Sequence, residues 1–221
     1  MTAQSSRGSA TSLLPPGSST ESGQLEMQTQ IGTKPRILYV VAEHHALETV
    51  DITNRVQAEA QAVLAGGKFS PGWERVLRPL GAWSYAVLHG VRDLYLIDDV
   101  AAATGLKYVS VVSAGKSGCS NPSPLRRVIE NTTPDLIVCA GGEAVYWPLV
   151  GTLGLSHELL TTAFGEPIYY SQLETRTRAS VLLHFWHPAQ GDYIEGGHEY
   201  LFKLFLHAYD ALCRKRLLEC H

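Results

Sequence analysis

Four short runs of nearly unbroken apolar and β-branched residues punctuate the chain: RILYVVA (Arg36 to Ala42), KYVSVVSA (Lys107 to Ala114), DLIVCAG (Asp135 to Gly141) and ASVLLHF (Ala179 to Phe185). Runs without polar alternation suit strands that are covered on both faces, as in a parallel sheet. Between them lie segments with helical spacing. One runs from about Val50 to Leu64 and stops at Gly66-Gly67; another opens at Ser70, read as a cap, and Pro71, read as the first helical position. Pro79 is expected to break or kink this second helix. Ser123 to Thr132 reads as a helix, EAVYWPLVG as a short one, and GHEYLFKLFLHAYDALCRKRLL as a closing helix with an apolar stripe. Strands alternating with helices predict an α/β fold, a three-layer α/β/α sandwich around a central, mainly parallel four-stranded sheet.

Residues 1–34 break the pattern. The segment MTAQSSRGSATSLLPPGSSTESGQ is rich in Ser, Thr, Gly, Pro and Gln, too polar to offset chain entropy by burial, and is expected to be a disordered tail ahead of a single domain over residues 35–221. With 221 residues, 45% of them hydrophobic, one sizeable core suffices. The formal net charge of -3 gives no global attraction to nucleic acid, so any phosphate contact needs a local basic patch. The four cysteines, Cys119, Cys139, Cys213 and Cys220, show no C-x-x-C pair and no framework spacing, so reduced thiols and an intracellular location are expected. No apolar run is long enough to span a bilayer.

Ligands of an open parallel sheet sit beyond the carboxyl ends of its strands. The residues there are Glu43, His44, His45 and Glu48 after the first strand; Ser113, Lys116, Ser117, Cys119 and Asn121 after the second; Gly141, Gly142 and Glu143 after the third; and His184, Trp186, His187 and Gln190 at the end of the fourth. SAGKSG follows a strand as a phosphate-binding loop does, but Ser110 stands where that motif needs glycine, and Cys119, Asn121 and Pro122 delay the helix. No Gly-x-Ser-x-Gly elbow is present. A metal held by His44, His45, His184 and His187 is disfavoured because adjacent side chains in extended chain point opposite ways. His184 and Trp186 also fit a partly buried core. His187 stands apart, because Pro188 ends the strand beside it.

The order of these pieces resembles the uracil-DNA glycosylase superfamily over about Arg36 to Leu217. VAEHHALE stands at the acidic loop after the first strand, placing Glu43 on the family's glutamate. SVVSAGKSGC stands at a Lys-Cys segment, with Lys116 and Cys119 approximately placed; PDLIVCAGGEAV is strand and glycine turn; and HPAQ stands at His-Pro-Ser. The departures are Ala42 and His45 in place of the first loop's glycine and proline, and Ala189 in place of serine. The cysteines of the family's cluster-bearing branches have no counterparts, so no cofactor is expected.

The resemblance implies cleavage of an N-glycosidic bond of a deaminated base in DNA. Glu43, or Glu48, would position water, and His187 would hydrogen-bond the departing base. His44, Glu48, Lys116, Asn121, Gly141, Trp186 and Gln190 would line the substrate, with Trp186 or Tyr85 stacking on the base and Lys116, Arg126 and Arg127 meeting phosphates. The implied partner is DNA, or a nucleobase or nucleotide ligand, bound by a monomer with no membrane contact. Two other classes remain open: a catalytically inactive nucleotide- or protein-binding module on the same fold, and a different small-molecule enzyme.

Overall fold

The four apolar runs lie side by side as parallel strands. The computed structural model describes residues 34–42, 50–115, 123–175 and 178–219; of the expected tail of residues 1–34, all but Lys34 lies outside them. The strands are β1 (Ile37–Ala42), β3 (Val109–Ala114), β4 (Leu136–Ala140) and β7 (Ala179–Phe185), and β1 pairs parallel with β3 and β4, as β4 does with β7. Three further strands correct the expectation of a four-stranded sheet. A two-residue strand, β2 (Val50–Asp51), pairs antiparallel with β3, and the edge beyond β7 carries antiparallel β6 (Pro167–Glu174) and β5 (Glu158–Thr161). The result is a mixed seven-stranded sheet in the order β2-β3-β1-β4-β7-β6-β5.

Side chains alternate between the two faces of each strand, and helices cover both. Ile37, Tyr39 and Val41 share one core with buried residues of α1 (Thr53–Leu64), α2 (Glu74–His89), α3 (Asp99–Leu106) and α6 (Gly197–Arg214). Leu38, Val40, Ile137 and Leu182 share the other with α4 (Ser123–Thr132) and α5 (Glu143–Leu153). The first core centres on Trp83, 1% exposed, which lies edge-on to Phe185 at 5.1 Å and stacked on Phe205 at 5.2 Å.

Two local readings change. α2 continues through Pro79, which is buried with Leu77, Leu80 and Trp83; the core contacts outweigh a local cost of about 3 kcal/mol. The helix also starts later than expected. The carbonyl of Ser70 accepts from the amides of Trp73 and Glu74 in a preceding turn, while its hydroxyl donates to Glu59 at 2.8 Å instead of capping. α3 was not expected, although Asp98 caps it by accepting from the Ala101 amide. Cys213, near the end of α6, is disulfide-bonded, contrary to the expectation of reduced cysteines.

The amino edge is tied together at Asp135. Its carboxylate accepts from the Arg36 amide at 2.7 Å and pairs with Arg178, while its own carbonyl accepts from the Val181 amide at 3.0 Å. One side chain thus joins the starts of β1, β4 and β7. The exposed arginines add little by charge alone, but a mostly buried acceptor serving a backbone amide costs about 1–3 kcal/mol to remove. Asp135→Ala is therefore expected to lower the urea midpoint by a corresponding amount, with Asp135→Asn recovering part of it.

Candidate functional site at the carboxyl edge

Equal register brings the four parallel strands to a level edge: Ala42 pairs with Ala114, Val41 with Ala140, and Ala140 with Phe185. Just beyond it the chain closes tightly around Gly141 and Gly142. A Cβ at Gly141 would come within 2.3 Å of the Val145 side chain and 2.9 Å of the Ala42 Cβ, so only glycine lets the turn after β4 lie against the end of β1. Gly142 has φ of 61°, starts α5, and donates its amide to the Phe185 carbonyl at 2.8 Å. The ends of β1, β4 and β7 are therefore in direct contact. Glu143 occupies the first turn of α5.

His187 leaves β7 half-buried and caps the short 3-10 turn Pro188–Asp192. Its Nδ1 accepts from the Ala189 amide at 3.3 Å, and its carbonyl accepts from the Gln190 amide at 2.9 Å. An accepting Nδ1 leaves the proton of the neutral imidazole on Nε2. The ring is thereby oriented by the turn it starts, with Nε2 as its donor. Gln190 is exposed on this turn. Trp186 is half-buried, edge-on to Phe185 at 5.6 Å, and forms one wall of a cavity of about 500 Å3.

Of the residues predicted for the site, Gly141, Trp186, His187 and Gln190 belong to this edge. Glu43, His44, Glu48, Lys116 and Asn121 lie outside the described residues, as does Cys119. Arg126 and Arg127 sit exposed near the start of α4, Arg126 facing Glu130 at 3.9 Å. Tyr85 does not belong to the site. It stacks on His89 at 4.3 Å, near the end of α2 and against Gly105, where the chain approaches the amino ends of the strands. A helix position read from sequence carries no information about which sheet edge it will reach.

His184 behaves differently from His187. It is 7% exposed, points to the α5 face, and has Tyr146, Trp147, Tyr169 and Trp186 as ring neighbours; neither ring nitrogen has a hydrogen-bond partner among the described residues. Burial pushes its pKa below the ordinary imidazole value, and the Glu143 carboxylate opposes this. A depressed folded-state pKa means that the unfolded chain takes up the proton first. Stability is thus full above about pH 6.5 and falls as pH drops from there through the folded-state pKa. Urea midpoints are expected to be lower at acid pH for the native chain, and His184→Phe is expected to flatten that dependence without loss at neutral pH, since it removes both orphaned nitrogens. His89 is shifted in the same direction, by burial first and by Lys34 second, so His89→Asn is the matching control.

Among the described residues no group of three His, Cys, Asp or Glu side chains could hold a metal ion, and no helix is long and apolar enough to cross a membrane. Comparison with protein-family models, with characterised proteins and with solved structures finds no match.

Proposed function

We propose that the carboxyl edge is the substrate cleft of a uracil-DNA glycosylase-like N-glycosidase acting on deaminated bases in DNA, built on a three-layer α/β/α arrangement. The observation that carries the reading is the geometry of His187: an imidazole at the end of a central parallel strand, held through Nδ1 so that Nε2 carries the proton. Cleavage of an N-glycosidic bond leaves negative charge on the departing base. A preorganised N–H donor aimed at that charge lowers the barrier, because it binds the transition state more tightly than the ground state. Glu43, the residue after Ala42, would position the attacking water. The glycine turn at Gly141-Gly142 offers a surface where a flat ring can approach backbone. Trp186 would supply a stacking ring, and Arg126 and Arg127 phosphate contacts on the α4 side.

A second reading is the catalytically inactive nucleotide- or protein-binding module, and one feature favours its protein-binding form. The cavity beside Trp186 is lined by Glu166 and Glu195, which repel phosphate on that side of the edge. Incubating the full chain with single- and double-stranded oligonucleotides that carry deaminated bases separates the two. Alkali-labile abasic sites in the products support the glycosidase; binding with intact oligonucleotide supports the module.

A further inference from the structure

We propose that the cavity between Trp186 and Tyr200 binds an organic cation, a protonated amine or a guanidinium group. The site does not depend on the glycosidase reading. Its lining combines the Trp186 and Tyr200 rings, apolar Ile194, and the carboxylates of Glu166 and Glu195, and contains no Lys, Arg or His among the described residues. A volume of about 500 Å3 falls in the range typical of small-molecule sites, about 300–1,000 Å3.

The protein does not balance the charge of this cavity. Some acidic side chains have a cation beside them, as Asp135 has Arg178, Asp192 has Arg75 and Asp210 has Arg92. Among the described residues Glu166 and Glu195 have none. Glu166 is held in place all the same: the Tyr200 hydroxyl donates to its Oε1 at 3.1 Å, and Phe164 lies edge-on to Tyr200 at 5.5 Å. Two uncompensated carboxylates beside indole and phenol rings attract a cation with an apolar body, through charge and through the negative ring faces. A bare metal ion suits the cavity less well, since two carboxylates give too few oxygen ligands and the rings give none.

The test titrates the full chain with choline, with argininamide and with a tri-arginine peptide, reading tryptophan fluorescence and amide chemical shifts. The neutral control is 3,3-dimethylbutanol, which keeps the shape of choline without its charge. Saturable binding of a cation is expected, with the neutral analogue at least about tenfold weaker. Glu166→Gln/Glu195→Gln is expected to weaken cation binding by about tenfold, while Asp210→Asn, at the opposite edge, leaves it unchanged. Glu195→Gln alone, at an exposed position, gives a weakening of about threefold even where Glu166→Gln disturbs the Tyr200 contact. Tighter binding of the peptide than of the free cations assigns the site to a protein partner, and the reverse order to a small molecule. No saturable response, equal binding of the neutral analogue, or equal affinity in the Gln variants overturns the proposal.

Discussion

Trp83→Ala is expected to destabilise the protein by about 3–5 kcal/mol, a large fraction of the roughly 5–15 kcal/mol that holds a domain folded. The indole is 1% exposed and fills the space between α2, α6 and the end of β7, with Phe185 edge-on and Phe205 stacked. Alanine would remove the largest buried side chain on that face and leave a cavity that three separate elements cannot close together. Trp83→Phe is expected to recover more than half of the loss. Equilibrium urea unfolding measures both. The effect also reaches the candidate site, because Phe185 directly precedes Trp186 and His187 and its carbonyl anchors Gly142. A variant that stays folded is expected to lose order at the glycine turn, visible as broadened Gly141 and Gly142 amide signals.

His187→Ala is expected to reduce kcat for base release by about 10²–10³-fold, the usual consequence of removing one preorganised donor to a developing anion. The change in KM is expected to be small, since the hydrogen bond strengthens as charge builds on the leaving base. The substitution also removes the cap on the Ala189 amide, worth about 1 kcal/mol of stability. His187→Asn separates the two roles: its side-chain oxygen can cap the turn while its shorter reach misplaces the donor. Steady-state kinetics should therefore find His187→Asn as slow as His187→Ala, and thermal unfolding should find it more stable.

The central sheet was legible because β1, β3, β4 and β7 are buried on both faces and carry apolar residues at nearly every position. β6 was not, because its exposed positions, Pro167, Gln172 and Glu174, interrupt the apolar run, and no helix separates it from β5 or β7. α3 hid in a short Ala-rich stretch without a polar face, leaving the Asp98 cap as its one local signal. Pro79 misled for the opposite reason: a strong local rule yielded to burial. At the site, chain order alone placed His187 and Gly141, since parallel strands deliver their ends to one edge. Chain order does not separate His184 from His187, but Pro188, which ends the strand beside His187, does. Three residues apart, one is buried against α5 with no hydrogen-bond partner among the described residues and the other caps a turn, a difference set by β7 ending at Phe185. The cavity beside Trp186 was equally hidden, because Glu166, Glu195 and Tyr200 come from segments that only the folded chain brings together.

The most direct measurement of the central claim is an amide and imidazole NMR titration of the labelled full chain with free uracil. Saturable, concerted shifts of Gly141, Gly142 and the His187 ring, with His187 protonated on Nε2 throughout and Gly90 and Asp210 unmoved, are the predicted result. Shifts confined to other parts of the molecule, or a His187 ring protonated on Nδ1, would contradict it.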